Sequence, residues 1–417
     1  MHVELHPDFV DSPLGQAARD LSSACVHCGF CLATCPTYLD TRDERDSPRG
    51  RIYLINQLLE TGQAGNPTRT HLDRCLTCRS CESTCPSGMQ YGRLLDIGRG
   101  LVERLAPRPL SERALRYALR SVVSRPRLFR AALRAGQALR PLLPAALKSK
   151  IPPRQKAQSV PVRHRARTML LLEGCVQAAA TPNTNGAARR IFDRLGISLV
   201  AAPDAACCGA VNYHLAAQAA GLDNMRHNID AWWPFIEAGA EAIVSSASGC
   251  GSTLADYGHL LAHDPGYAEK ARRVSELARD AGEILQQENL AQLGAPPALG
   301  KISVHLPCSL QHGLQLPDLI PHILAGAGFE LATTEDDHLC CGSAGTYSIL
   351  QKERSDRLRD RKLQALTGDK PALIVTGNIG CQLQLQETAG VPVLHWLELL
   401  DRCQRVAAPA QTRGTSE

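Results

Sequence analysis

A chain of 417 residues is too long for one ordinary domain, and its 44% hydrophobic content is enough for two or three globular cores. Aromatic residues make up only 4%, which argues against a stacking surface for single-stranded nucleic acid, and the formal net charge is a modest +5. The first residues lack the basic and apolar regions of a signal peptide, and no uncharged apolar run reaches the roughly 18 residues a spanning helix needs, so a cytoplasmic protein is expected.

In chain order, residues 8–24 read as one short amphipathic helix, closed by Ser23 and Ala24. Two copies of one cysteine pattern follow. Cys25, Cys28, Cys31 and Cys35 precede Pro36, and Cys75, Cys78, Cys81 and Cys85 precede Pro86. Both copies have the spacing C-x2-C-x2-C-x3-C-P of bacterial two-cluster ferredoxins. Three closely spaced thiolates on a tight loop hold three irons of one [4Fe–4S] cube, and the fourth, displaced by a residue and followed by proline, reaches the other cube. This spacing assigns Cys25, Cys28, Cys31 and Cys85 to one cluster, and Cys75, Cys78, Cys81 and Cys35 to the other. Structural zinc is the alternative, but it ordinarily uses two C-x2-C pairs about 15–20 residues apart. Seventeen cysteines clustered at ligand spacings suit a reducing cytosol.

Between the copies, Ser47 and Pro48 mark a helix start, with Ile52, Ile55, Leu58 and Leu59 as its apolar stripe. Arg49 and Arg51 either offset cluster charge, bind a partner or belong to a solvated helix start. Residues 99–167 then carry 18 Arg or Lys against two acids, Glu103 and Glu112. Arg116, Arg120, Arg127, Arg130 and Arg134 recur beside Leu115, Leu119, Leu128, Leu133 and Leu139. The pattern reads as basic amphipathic helices suited to an anionic membrane surface or an acidic partner, or as a solvated connecting face. Pro141, Pro144, Pro152, Pro153 and Pro161 mark a linker.

From about residue 168 a larger unit is written twice. Apolar runs at 169–172, 197–201 and 242–244 lead to Cys175, to Cys207 and Cys208, and to Cys250; runs at 302–306, 329–332 and 373–375 lead to Cys308, to Cys340 and Cys341, and to Cys381. The interval from single cysteine to pair is 32 in both copies. Helices are expected at 185–195 and 319–327. This self-similarity indicates two α/β units. Ligands of an open parallel sheet gather beyond the carboxyl ends of its strands, so the four cysteines of each unit should meet at one rim. Each cysteine pair is followed by glycine, Gly209 or Gly342, read as allowing close backbone approach to an inorganic group. Cys403 fits neither copy and reads as a buried thiol.

The fold expected is a multidomain α+β protein: a mostly α, two-[4Fe–4S] ferredoxin-type domain (1–100), a basic helical linker (101–167), two repeated α/β modules with a CCG signature (168–295 and 296–405) and a disordered tail (406–417). No G-x-G-x-x-G, G-x-x-x-x-G-K or H-E-x-x-H motif is present. Iron–sulfur ligands without a hydride carrier point to an electron relay serving a flavoprotein, with no catalytic residue of its own.

Over nearly its full length the chain resembles the iron–sulfur subunits of glycolate oxidase (glycolate dehydrogenase). Residues 25–38, 46–55, 75–99, 207–214 and 340–347 carry the resemblance. In that family a flavin-carrying subunit oxidises glycolate, a 2-hydroxy acid, to glyoxylate, a second flavoprotein-like subunit assists, and electrons pass through the iron–sulfur subunit toward the respiratory chain. The resemblance implies FAD-binding glycolate oxidase subunits and a quinone or other respiratory acceptor as partners, no nucleic acid, and peripheral association with the inner face of the cell membrane. Related subunits serve anaerobic glycerol-3-phosphate or lactate dehydrogenases and heterodisulfide-reductase-like enzymes. CCG modules of the last kind end in C-x-x-C, whereas Thr253 and Gln384 stand at those positions here. A further iron–sulfur cluster in these modules would therefore rest on Cys175, Cys207, Cys208 and Cys250, or on Cys308, Cys340, Cys341 and Cys381.

Overall fold

The computed structural model describes residues 3–144, 148, 150–160 and 163–404, so the tail expected at 406–417 lies outside the described residues. The lead-in expected as one helix is two, Pro7–Val10 and Pro13–Ser23. The break follows from Pro13, which starts the second helix at a position where its missing N–H costs nothing, with Ser12 Oγ accepting from the Gly15 N–H (3.4 Å) as the cap. The helix Pro48–Thr61 begins as its sequence predicts: Ser47 Oγ accepts from Gly50 N–H at 2.9 Å, and Pro48 occupies the first turn. Ile52, Ile55, Leu58 and Leu59 are buried along one stripe. They pack with Leu94, Leu95, Leu101 and Val102 of the helix Tyr91–Leu105, and the cluster reaches Cys75 and Cys81. The two cysteine loops therefore sit on a small helical core.

The basic stretch forms helices Leu110–Val123 and Pro126–Leu139, neither of which buries a residue fully. Its arginines are not all alike. Arg116 Nη2 donates to Asp73 at 3.0 Å, and Arg108 also pairs with Asp73, so this end is pinned to the ferredoxin-type domain. Arg120 lies over the Tyr117 ring, 5.1 Å from its centroid.

In the first α/β module, strands β1 (Arg167–Leu172), β2 (Ile197–Val200), β3 (Ile243–Ser245) and β4 (Ala278–Asp280) form a parallel sheet in the order β2-β1-β3-β4. Met169 lies opposite Leu199, and Leu170 opposite Ile243. The second module repeats the plan with β5 (Ile302–His305), β6 (Leu373–Thr376) and β7 (Val393–His395) in the order β5-β6-β7. The strand expected at 329–332 is reduced to a single parallel bridge, Leu331 to Ile302. The chain leaves the sheet immediately afterwards, where the Thr333 N–H bonds to the Asp369 carboxylate (3.3 Å) instead of a strand neighbour. Helices Pro182–Arg194 and Leu319–Gly326 cover the sheets, the first starting three residues earlier than expected because Pro182 sits at its first turn. Strands β4 and β7 have only three residues each, too few for a periodic signal.

The modules share one hydrophobic core, in which Met169, Phe192, Ile302, Leu319 and Trp396 belong to the same cluster. Polar contacts seal the seam: His395 Nε2 to the Ser246 carbonyl (2.7 Å), Ser248 N–H to the Gly377 carbonyl (3.1 Å), and Arg194 to Asp401 (2.8 Å). The ferredoxin-type domain packs on both modules. Arg79 reaches Asp256 (3.2 Å) and His214 meets Asp96 (3.1 Å) on the first; Ser83 meets His312 (3.0 Å) and Asp40 accepts from Arg357 (2.7 Å) on the second.

The central polar node is Asp46, which is fully buried. His71 stands 2.7 Å from its carboxylate, Arg354 3.2 Å, Arg74 3.4 Å and Arg51 3.6 Å. Removing one partner of such a network leaves uncompensated buried charge and costs about 3–5 kcal/mol. Asp46→Ala is accordingly expected to lower the thermal midpoint and to expose the 25–86 region to limited proteolysis before the two α/β modules unfold. Unchanged thermal and proteolytic profiles would show that the node is not needed to hold the domains together.

Candidate metal centres

Both ferredoxin-type loops are wound by the same device. His27 and Gly29 in the first, and Thr77 and Arg79 in the second, have positive φ (54°, 87°, 55° and 60°), which turns the intervening thiols toward one side. Only glycine takes this conformation freely, and each of the other three residues stores on the order of 1–3 kcal/mol of strain unless its surroundings over-determine it. In the second loop Arg99 supplies part of the restraint, donating to the Cys75 carbonyl (2.8 Å), the Leu72 carbonyl (3.0 Å) and Thr77 Oγ1 (3.0 Å). In the first loop Arg49 is near the His27 carbonyl (3.5 Å) and pairs with Glu44 (2.8 Å).

The eight thiols line two adjoining hollows, and the grouping crosses over. One hollow, of ≈ 400 Å³, is lined by Cys25, Cys28, Cys31 and Cys85. The other, of ≈ 360 Å³, is lined by Cys35, Cys75, Cys78 and Cys81. Cys81 lines both.

Burial, reinforced by neighbouring sulfurs, pushes Cys31 up to about 11 and Cys78 and Cys81 well above the ordinary thiol range. For Cys78 the largest sulfur contribution comes from Cys308 of the second α/β module. Cys85 is lower than an ordinary thiol: burial raises it, but the Ser87 hydroxyl and the backbone N–H groups of Met89, Ser87 and Gly88 together outweigh that. Buried thiols of this kind ionise only when cationic charge is brought to them. Arg51 is one source. Its side chain is fully buried, anchored by the His71 carbonyl (2.7 Å) and Thr37 Oγ1 (3.1 Å). Burial opposes its charge, but Cys75, Tyr91, Cys35 and Asp46 outweigh that and hold it protonated. Of the two arginines in the motif, Arg51 is the one among the sulfurs of the second hollow. An all-sulfur donor set, strained loops and too little protein cation to neutralise the thiols are what iron–sulfur ligation relieves, so the residues present fit the group.

The α/β modules bring their cysteines to the rim, as a parallel sheet requires. In the first, Cys175, Cys207, Cys208 and Cys250 form a chain of sulfur contacts; hydrogen bonds from Cys207 and Cys250 hold Cys208 well below the ordinary thiol range. In the second, Cys308 and Cys340 are 3.9 Å apart, Cys341 and Cys381 continue the chain, and Asn378 Nδ2 donates to Cys381 Sγ (3.4 Å). The two glycines have a different reason from the one expected. Gly209 and Gly342 are left-handed (φ 92° and 83°), and a Cβ would stand 2.7 Å from the Gly221 carbonyl oxygen or 2.6 Å from that of Ser355. They admit a neighbouring helix rather than a ligand. Where a C-x-x-C would end, Thr253 Oγ1 donates to the Gly249 carbonyl (3.0 Å) and Gln384 to Ser355 Oγ (2.8 Å), so neither side chain substitutes for a fifth cysteine. Cys403 is buried in the shared core, away from both rims.

The sequence pattern missed His305, at the carboxyl end of β5. It lies three residues before Cys308, where the first copy has Leu172 before Cys175. That exchange of an apolar for an imidazole side chain between the repeats was the available signal. Asp43, Asp46 and His71 also lie close together, but the guanidinium groups around Asp46 already neutralise it.

The sequence model of the 4Fe-4S dicluster domain matches residues 22–89, and that of the cysteine-rich domain matches 169–255 and 302–386. The glycolate oxidase iron-sulfur subunit of Escherichia coli (strain K12) is 50% identical over 403 residues, covering 96% of this chain and 99% of the relative. The chain belongs to this family of iron–sulfur subunits. A probable glycolate oxidase iron-sulfur subunit of Bacillus subtilis (strain 168) is 30% identical, covering 87% of this chain and 88% of the relative. Lactate utilization protein A of Anoxybacillus flavithermus (strain DSM 21510 / WK1) is 26% identical over 233 residues, covering 52% of this chain and 92% of the relative. Membership makes this chain the iron–sulfur, electron-carrying subunit of an oxidoreductase complex with a partner catalytic subunit. No helix among the described residues is long and apolar enough to cross a membrane.

Proposed function

We propose that this chain carries electrons away from a flavoprotein subunit that oxidises glycolate to glyoxylate with FAD, and delivers them to a quinone or another respiratory acceptor. The observation that carries the reading is the crossed grouping of the eight loop cysteines into two adjoining hollows that share Cys81. In this proposal Cys25, Cys28, Cys31 and Cys85 hold one [4Fe–4S] cluster, and Cys35, Cys75, Cys78 and Cys81 hold the other. Cys175, Cys207, Cys208 and Cys250 are the four-thiol set for a further iron–sulfur cluster, with Cys308, Cys340, Cys341 and Cys381 at the equivalent rim. Bound clusters supply one-electron redox chemistry. The chain's own residues set the direction: Cys28 is exposed between Val26 (66% exposed) and Phe30 (63%), a face suited to a partner, whereas Cys75 and Cys81 are buried. Arg51 offsets negative charge at the buried end. A lactate-oxidising complex is the second reading, favoured by the likeness to lactate utilization protein A over about half of this chain.

Association with the inner face of the cell membrane is supported by the helices Leu110–Val123 and Pro126–Leu139. Leu110 (78% exposed), Tyr117 and Leu128 lie open to solvent alongside exposed Arg113, Arg127, Arg130 and Arg134, which make no ion pair among the described residues. Cationic charge beside exposed apolar side chains suits anionic headgroups. Changing these four arginines to glutamine should release the complex from the membrane fraction. Added salt should weaken the wild-type association, since screening acts beyond roughly 8 Å at physiological ionic strength. Undiminished co-sedimentation would leave the helices as a solvated face.

Cys85→Ser should remove the electron paramagnetic resonance signal of the first-loop cluster and spare the second. Loss confined to the second-loop cluster would overturn the crossed assignment. In the assembled complex, Cys78→Ser should abolish glycolate-dependent quinone reduction while glycolate still reduces the flavin in a rapid-mixing experiment. If flavin reduction disappears with the partner subunits bound and flavin-loaded, this chain takes part in substrate chemistry and the relay reading fails.

A further inference from the structure

Tyr91 opens the helix Tyr91–Leu105, is 4% exposed, and borders both hollows of the ferredoxin-type domain. Its hydroxyl is buried without a hydrogen-bond partner among the described residues. A buried donor left unsatisfied is costly, so an acceptor is expected beside it. After burial itself, the group acting most strongly on this hydroxyl is the Cys75 sulfur, ahead of the Arg51 guanidinium and the Cys81 sulfur. A phenol keeps its proton at neutral pH, so Tyr91 stands beside Cys75 as a donor. The other two hydroxyls bordering the second hollow are engaged. Thr37 donates to the Asp46 carbonyl (2.8 Å), and Thr77 Oγ1 accepts from Arg99 (3.0 Å). Cys75 Sγ is placed to accept: the Thr77 N–H already donates to it (3.4 Å), and the buried Arg51 borders the same hollow.

We propose that the Tyr91 hydroxyl donates a hydrogen bond to Cys75 Sγ when that sulfur is a cluster ligand, and that this bond raises the reduction potential of the second-loop cluster. A donor to a ligand sulfur favours the reduced cluster, which carries one more negative charge, over the oxidised one. Tyr91 is thereby a positioning residue that acts through Cys75, not a catalytic one. The first hollow has a weaker counterpart. Ser87, whose hydroxyl lies 3.3 Å from Cys85 Sγ, is exposed, so water competes for the same sulfur. Tyr91 therefore biases one-electron exchange inward: the cluster at the buried Cys75 is reduced as the one at the exposed Cys28 is oxidised. The inference rests on the cluster proposed above for the second hollow. It does not depend on which fourth cysteine completes that cluster, because Cys75 belongs to the second loop in either grouping.

The test is a redox titration of the full-length, cluster-loaded protein followed by electron paramagnetic resonance, with the first-loop signal identified by its loss in Cys28→Ser. Tyr91→Phe keeps the ring and removes only the hydroxyl. It should make the second-loop cluster harder to reduce, shifting its oxidised-to-reduced ratio at fixed potential about tenfold, equivalent to about 59 mV for one electron. The first-loop cluster should move by less. Placing 3-fluorotyrosine at Tyr91, a stronger donor of nearly the same shape, should shift the ratio the other way. Electron–nuclear double resonance in heavy water should show an exchangeable proton coupled to the second-loop cluster in the wild type and its loss in Tyr91→Phe. An unchanged second-loop potential in Tyr91→Phe, easier reduction, or an equal shift of both clusters would each overturn the proposal. A wild-type second-loop cluster with no exchangeable proton coupled to it would overturn it even if the variant failed to fold. Absence of any second-loop signal from the wild type would instead defeat the cluster reading itself, and this inference with it.

Discussion

Burying a set of thiolates without losing the fold is the constraint on which the rest of this structure depends. Negative sulfur in a low-dielectric interior needs cationic compensation, and Arg51 provides part of it from the first turns of the helix Pro48–Thr61. A buried guanidinium is itself costly unless its donors are satisfied. The His71 carbonyl, Thr37 and Asp46 satisfy them, and Asp46 in turn gathers His71, Arg74 and Arg354. Because Arg354 belongs to the helix Lys352–Thr367 of the second module, charge compensation at the cysteine loops also fastens two domains together. The Ser-Pro-Arg-Gly-Arg-Ile segment thus serves capping, ligand electrostatics and domain docking at once.

The α/β modules solve a related problem by topology. Parallel strands deliver successive loops to the same sheet edge, so cysteines far apart in sequence converge without a dedicated ligand loop. The repeat keeps the strand order, the left-handed glycine after each pair and the chain of sulfur contacts. It breaks at His305 and Leu172, buried groups of opposite chemistry at matching places. The modules stay paired through a shared core to which both contribute, Phe192 from the first and Leu319 and Trp396 from the second.

Where the structure departs from the sequence pattern, local chemistry is the cause. Pro13 split a periodicity that otherwise ran on, and Asp369 drew Thr333 out of strand register. Arg116 belongs to the same helical pattern as Arg120, Arg127 and Arg130, yet its charge is committed to Asp73, on a different helix. Periodicity shows which face of a helix an arginine shares, but not what lies opposite.

The sequence by itself determined the family, the two ferredoxin-type loops, the doubled α/β plan and all cysteines at the rims, because ligand spacing and repeat spacing are written locally in residue type and interval. The start of the helix at Pro48 was legible for the same reason, through a cap and a proline. Tertiary structure alone decided that Cys81 lines both hollows, that Arg49 borders the first hollow and the buried Arg51 the second, that Gly209 and Gly342 accommodate helix packing, and that His305 lies close to Cys341 and Cys381. Each of these depends on groups far apart in sequence being brought within a few ångströms, and burial then turns that proximity into electrostatics.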